Sequence, residues 1–281
     1  MSTSDAVTDT VRAQSEASSP MVKPIPGLEA HQLTKRFDSR GEQTVALQDV
    51  DLTIAQGAFV SIIGPSGCGK STMLRIFADL MAPTDGVAMV KGRTPHQARR
   101  DREFAMVFQS PNLLPWKSVL RNVTLPLQIM ELPKEEREAR AREMLSLVGL
   151  DGFESRLPHQ LSGGMQQRVA IARALSMHPG VLFMDEPFGA LDEITRDRLN
   201  LELMDIWQRL SPTVLFITHS IGEAVYLSTQ VVVMSPRPGR ITATIDIDLP
   251  YPRTASVRDQ PRFYELVGEV RAALNDGQGR A

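Results

Sequence analysis

The chain is poor in cysteine and in large aromatic residues, with one Cys, two Trp and three Tyr among 281 residues. A single thiol, Cys68, excludes an intrachain disulfide framework and a Cys-based metal site, and fits a reducing compartment. No charge of one sign predominates: 31 Lys and Arg against 33 Asp and Glu give a net charge of -2. That balance excludes the strongly basic surface of a dedicated nucleic-acid binder, so no nucleic-acid partner is expected. Long apolar runs are missing as well. Stretches such as Val181 to Met184 are strand-sized, far short of the roughly 20 residues that span a bilayer. The chain is therefore not expected to cross a membrane by itself. Residues 1–26 are rich in Ser, Thr, Ala and acids, without a basic start followed by an apolar core. No secretory signal is expected there; the segment reads as a disordered tail closed by the turn cluster Pro24 to Gly27.

What is present is ordinary globular composition, 42% hydrophobic and 23% charged, in a chain long enough to bury a sizeable core. Short apolar strands recur between amphipathic helices, which predicts an α/β domain around a mainly parallel sheet. The compact runs Phe59 to Ile63, Val181 to Met184, Val214 to Thr218 and Val231 to Met234 suit strands covered on both faces. After Lys70, Met73, Phe77 and Leu80 fall at helical spacing. Ile241, Ala243, Ile245 and Ile247 alternate with polar residues, as in a half-exposed strand of a smaller, antiparallel layer. From about Pro111 to Met177 the period turns helical, predicting an inserted helical subdomain; its charge run Lys134 to Arg142 reads as a solvated face. Phe263, Leu266, Val267, Val270 and Leu274 share one face of a C-terminal docking helix. The expected division is thus 1–26, 27–250 with the subdomain at 111–177, and 251–281.

The chemistry starts at GPSGCGKST, Gly64 to Thr72, which matches the P-loop pattern between a strand and a helix. Gly64, Pro65, Ser66, Gly67, Cys68 and Gly69 supply a tight backbone whose amides converge on an anion, Lys70 reaches the β and γ phosphates, and Ser71 meets Mg²⁺ with Thr72 beside it. Asp185 and Glu186 end a buried strand. There Asp185 can hold the metal shell and Glu186 can polarise a water, which favours hydrolysis over transfer to a bound acceptor. LSGGMQQR, Leu161 to Arg168, opens a helix with Ser162, Gly163 and Gly164, making a second anion-binding helix N-terminus.

Walker A, signature and Walker B segments in this order resemble the nucleotide-binding subunit of an ATP-binding cassette (ABC) transporter over about residues 28–250. The resemblance implies a P-loop NTPase core with an antiparallel β layer and a helical subdomain, working with ATP and Mg²⁺. It implies a head-to-tail dimer, with two identical or two related chains both open, in which Ser162, Gly163 and Gly164 of one subunit close on ATP held by the other's P-loop. Gln109 in FQSPNLLPW resembles the Q-loop glutamine that joins Ser71 and Asp185 at the metal, Asp192 in GALD the D-loop aspartate, and His219 in FITHS the switch histidine. Phe37 in KRF resembles the aromatic that stacks on adenine, although tyrosine is commoner there and core packing is the other use of such a ring. Catalysis would thus rest on Glu186, His219, Gln109 and Lys70. His31, His96, His159 and His178 share no ligand spacing.

The family also implies a separate transmembrane permease, a solute-binding protein acting indirectly, and a peripheral place on the cytoplasmic face of the cell membrane. Leu113, Leu114 and Trp116 lie where the permease helix would dock, and they could equally be subdomain core. NLLPWKSVLRNV and MSPRPGRI resemble importer ATPases for nitrate, sulfonates and taurine, a subgroup that also handles vitamin precursors and other small solutes. The rival readings are a soluble ABC ATPase, an exporter component and a regulatory subunit that binds ATP without hydrolysing it. Coiled coils, zinc modules and a second cassette, expected of the soluble ATPases, are not seen in the sequence. Cys68, at a helix N-terminus, is expected to be a small filler with an activated thiol, so that alkylation blocks ATP binding and ATP protects.

Overall fold

The computed structural model describes residues 25–39 and 42–278. The expected disordered tail falls, but for its last two residues, outside the described residues.

Two sheets organise the chain. A three-stranded antiparallel sheet in the order β2-β1-β4 contains β1 (Leu28–Ser39), β2 (Glu42–Ile54) and β4 (Asp85–Val90). A six-stranded sheet runs β5-β6-β7-β3-β8-β9, with β3 (Phe59–Ile63), β5 (Phe104–Val107), β6 (Val181–Asp185), β7 (Thr213–Ile217), β8 (Gln230–Met234) and β9 (Ile241–Asp246). All its neighbours are parallel except β8 and β9. Between the strands stand α1 (Lys70–Phe77), α2 (Pro95–Arg100), α3 (Val119–Val123), α4 (Leu125–Ile129), α5 (Lys134–Leu147), α6 (Gly163–Leu175), α7 (Glu193–Leu210), α8 (Ile221–Leu227) and α9 (Pro261–Gln278).

Strand side chains alternate between faces, and this parity divides each central strand between two cores. Phe59 and Ile63 of β3, Leu182 and Met184 of β6, and Val214 and Phe216 of β7 face the helical side, where α5, α6, α7, α8 and α9 pack. Val60 and Ile62, Val181 and Phe183, and Leu215 and Ile217 face the other way, onto α1 and the three-stranded sheet. Both faces are covered, so these strands read as unbroken apolar runs. Helix α1 lies between the sheets, with Met73, Leu74, Ile76 and Phe77 buried against Leu28, Leu33, Val60 and Ile62.

Two expectations need correction. The alternating strand β9 does not belong to the smaller layer; it pairs antiparallel with β8 at the edge of the larger sheet, and its alternation reflects an edge with one face against α9. Leu80 is not on α1. The helix ends at Phe77, Asp79 turns left-handed at φ 53, and Leu80 is 57% exposed. The charge run on α5 is solvent-facing while Ala141, Met144 and Leu145 are buried beneath it. On α9, Phe263, Leu266 and Val270 are buried, and Val267 and Leu274 are partly buried against the same core. No helix among the described residues is long and apolar enough to cross a membrane.

Candidate functional site

The site begins where β3 leaves the sheet. The chain turns through Gly64 to Gly69 and enters α1 at Lys70. Gly69 has φ 107, and a Cβ there would stand 2.7 Å from the Ala46 carbonyl oxygen, so the residue entering the helix must be glycine. Lys70 is 7% exposed, and its Nζ donates to the carbonyls of Gly64 and Pro65 at 2.8 and 3.0 Å. The ammonium is thereby fixed inside the curve of the loop.

Above this loop lies a cavity of about 460 Å³, a size suited to a small-molecule ligand. Ser66, Gly67, Gly69, Lys70, Ser71 and Thr72 form its floor; Phe37, Thr44 and Ala46 from the smaller sheet form one wall, and Glu186 and Arg237 also line it. Phe37 is 37% exposed, so the ring is not packed into the core, and Lys35 Nζ stands over it, 5.3 Å from its centroid. Gly64, Pro65 and Cys68 support the floor without lining it.

Strand β6 delivers both acids. Asp185 Oδ1 accepts a 2.8 Å hydrogen bond from Ser71 Oγ, joining the strand end to the first turn of α1. Burial pushes the Asp185 carboxyl up from its usual range, against the Ser71 hydrogen bond and the nearby Arg75 charge. The paired hydroxyl and carboxylate are oxygen donors of the kind a hard Mg²⁺ ion takes. Glu186 is in the left-handed region at φ 47, where a non-glycine residue is strained. Its N–H donates to the Ile217 carbonyl at 3.0 Å, which locks that geometry to the end of β7. From the same end of β7 comes His219, whose Nδ1 lies 3.6 Å from Glu186 Oε2.

His219 has a buried neighbourhood behind it that the sequence did not disclose. Glu223 on α8 is 6% exposed and accepts from the Thr218 hydroxyl, which in turn accepts the Ser220 N–H at 3.0 Å. Burial pushes the Glu223 carboxyl up, against the hydrogen bond from Thr218. Glu223 Oε1 and Asn200 Oδ1 are both buried without a hydrogen-bond partner. A raised pKa means the folded state holds the proton more tightly than the unfolded chain, so stability falls as pH rises through and above the ordinary glutamate range. Glu223→Gln keeps an acceptor for Thr218 and supplies an N–H towards Asn200. We expect it to stabilise the fold by about 1 kcal/mol at pH 7, with the gain vanishing below the ordinary glutamate range. Thermal unfolding across pH checks this, and a gain that grows towards acid would contradict it.

The remaining candidates lie outside the cavity. Gln109 follows β5, exposed, with its Nε2 3.3 Å from where a Cβ on Gly189 would stand. Ser162 caps α6, accepting the Met165 N–H at 3.3 Å, and neither it nor Gly163 nor Gly164 lines the cavity. Gly164 is held small by α7, since a Cβ there would meet the Thr195 methyl at 2.8 Å. Asp192 caps α7 through the Thr195 N–H at 2.9 Å, a bond that holds its carboxyl below the usual range. The signature turn and the loop at Asp192 are thus neighbours, and neither lines the P-loop cavity.

Three supporting residues carry no motif in the sequence. Gln167, 1% exposed on α6, donates to the Phe108 carbonyl at 3.2 Å beside Gln109. Arg173, on the same helix, holds the Asn112 and Pro111 carbonyls at 2.8 Å each. Asn122 is fully buried, accepts the Leu114 N–H at 2.8 Å and donates to the Lys117 carbonyl at 2.9 Å. Together they fix the loop that leaves Leu113 and Leu114 half-buried and Trp116 72% exposed. Their polar character was visible, but their distant backbone partners were not.

Cys68 corrects one expectation. Its side chain is 1% exposed, clustered with Met234 and Ile62 beneath the loop, with its Sγ 3.8 Å from Lys70 Nζ and no part of it lining the cavity. Burial closes it to reagents, so the filler reading stands and the ready alkylation does not. We expect a thiol reagent to label native protein at least about a hundredfold more slowly than denatured protein; equal rates would overturn this.

A strand, a phosphate-cradling loop and a buried helix, followed by two acids on the next strand but one, define a P-loop nucleotide hydrolase. The ABC transporter family model matches residues 47–189. The chain is 48% identical to the taurine import ATP-binding protein TauB of Rhizobium johnstonii, covering 85% of this chain and 93% of that one. It is 43% identical to the nitrate import ATP-binding protein NrtD of Synechocystis, covering 88% and 94%. A solved dimeric post-hydrolysis ATP-binding cassette with ADP and phosphate superimposes with a TM-score of 0.70 at 34% identity, covering 79% and 100%. The chain belongs to the ABC transporter family and is its ATP-binding, ATP-hydrolysing subunit.

Proposed function

We propose that this chain powers an importer from the cytoplasmic face of the cell membrane, as a peripheral subunit on a separate permease fed by a solute-binding protein. The solute is a small anion or organic molecule of the nitrate, sulfonate or taurine type, as in the relatives named for those substrates. Residues 27–250 form the ATPase domain, with the helical subdomain at 111–177 and the C-terminal helix and tail at 251–281. The observation that carries the reading is a nucleotide cavity without a signature turn, paired with a signature turn, Ser162 to Gly164, that takes no part in lining it. Pairing of two chains, as the solved cassette is dimeric, supplies each cavity with the missing half when the two chains meet head to tail.

In that pair Phe37 stacks on adenine, the loop amides and Lys70 hold the phosphates, and Ser162, Gly163 and Gly164 of the other subunit close over the γ phosphate. Ser71, Asp185 and Gln109 would hold Mg²⁺, which when bound would offset phosphate charge. Glu186 accepts the proton of the attacking water, His219 holds that carboxylate in place, and Asp192 lies at the subunit contact. Trp116 and its neighbours receive the permease.

Whole-cell uptake of labelled taurine, an alkanesulfonate and nitrate, comparing wild type with Glu186→Gln at the native locus, tests the reading. Loss of one uptake names the solute. Unchanged uptake of all three overturns the solute class and leaves a vitamin precursor, another small solute or a soluble ATPase, which co-purification with a permease separates.

A further inference from the structure

The segment Met234 to Ile241 has no part in the ATPase reading above. It is the turn between β8 and β9, and it lies against the P-loop. Gly239 N–H donates to the Ala46 carbonyl and the Gly239 carbonyl accepts from Gln48 N–H, both at 3.0 Å, so the turn extends the edge of β2. A Cβ on Gly239 would stand 1.9 Å from the Cys68 carbonyl oxygen, which puts turn and loop backbones in direct contact. Ser235 ties the turn internally, its Oγ accepting the Arg240 N–H at 3.0 Å.

From this braced turn Arg237 reaches over the loop. Its Nε and Nη2 both donate to the Gly67 carbonyl, at 3.2 and 3.0 Å, and that oxygen is its only hydrogen-bond partner among the described residues. A guanidinium carries five N–H donors, so three are left over, on a side chain that lines the cavity with Phe37, Lys70 and Glu186. The turn arrives by Ala46, on the side of the cavity where Phe37 faces Thr44 across the β1–β2 pair, whereas Glu186 directly follows β6. With adenine on Phe37 and the reacting phosphate near Glu186, what passes Arg237 is the ribose and α phosphate.

We propose that Arg237 is a nucleotide-binding residue that pins the Gly67 peptide and presents its free donors to the α-phosphate side of the nucleotide. This rests on the reading that the P-loop holds ATP with its base on Phe37. A planar fork suits both tasks, one edge on a carbonyl and the other on phosphate oxygens. Because the contact precedes the scissile bond, ATP and ADP share it, and it acts on affinity rather than on the chemical step.

The test measures ATP and ADP binding by calorimetry, with kcat and KM, for the full chain and for Arg237→Ala, Arg237→Gln, Arg237→Lys and Lys70→Ala, each checked for folding by its Tm. Arg237→Ala is expected to weaken ATP and ADP alike by about tenfold or more, raising KM while kcat stays within about twofold. Arg237→Gln still offers the Gly67 carbonyl an N–H but no charge, and is expected to bind as weakly as Arg237→Ala, with Arg237→Lys in between. Wild-type binding by Arg237→Gln would reduce Arg237 to a strap on the loop and overturn the proposal, as would a loss confined to ATP or no loss at all. Failure of wild type itself to bind ATP would instead overturn the P-loop reading.

Discussion

Replacing Glu186 by Gln is expected to lower ATP turnover by about a thousandfold while ATP affinity stays near wild type, and to leave an ATP-bound dimer that outlasts gel filtration. The factor is that of a lost general base, about 10²–10⁴. Gln is isosteric, so the structural bond that fixes this residue, its N–H on the Ile217 carbonyl, survives. So does its place beside His219 Nδ1, 3.6 Å away in the wild type. What is lost is a side chain able to accept a proton from water. The strained φ of 47 at this position argues that the carboxylate is aimed rather than incidental. Wild-type turnover in this variant would move the base elsewhere, with His219 the next group to examine.

The second large effect separates the two halves of the site. Lys70→Ala removes the ammonium buried in the loop and is expected to weaken ATP binding to the isolated subunit by about a hundredfold, the worth of one to two charge-assisted contacts. Ser162→Arg leaves that cavity untouched, because the signature turn does not line it. This variant should bind ATP like wild type as a monomer, yet fail to form the dimer in the Glu186→Gln background, where a bulky cation meets the partner's phosphate pocket. Calorimetry and gel filtration on the two variants read this directly. Lost monomer binding in Ser162→Arg would mean that both halves of the site serve one chain, contrary to the head-to-tail arrangement.

The elements legible in advance are those whose surroundings impose a simple pattern. Strands β3, β6, β7 and β8 are covered on both faces, so their apolar runs stand out. The P-loop and signature turn announce themselves because glycines, a lysine and serines are needed at fixed spacing. Strands β1 and β2 gave no such pattern. Their pairing is broken by register shifts near Leu33 and Lys35, with Gln32 and Asp49 at positive φ, so neither strand keeps a period of two along its length. The sheet that β9 joins depends on pairing with β8, which alternation alone does not encode. Gln167, Asn122 and Arg173 were hidden for a related reason. Each holds a main-chain carbonyl, and backbone acceptors leave no mark in a sequence. Cys68 shows the opposite error, a correct local motif whose side chain turned inward.

The close approach of the β8–β9 turn to the P-loop has a consequence for how the protein is made. Gly67 and Arg237 lie 170 positions apart in the chain, and β3 is flanked by β7 and β8 rather than by any strand near it in sequence. A ribosome working at about 5–20 residues per second therefore emits the P-loop roughly 10–30 s before the strands that hold it. During that interval β3 has neither of its parallel neighbours, and its four apolar residues, Phe59, Val60, Ile62 and Ile63, need cover from elsewhere. Nucleotide cannot template this fold from the N-terminal half, and a chain cut short before β8 should reach the cell as a target for chaperones and proteases rather than as a weakened ATPase.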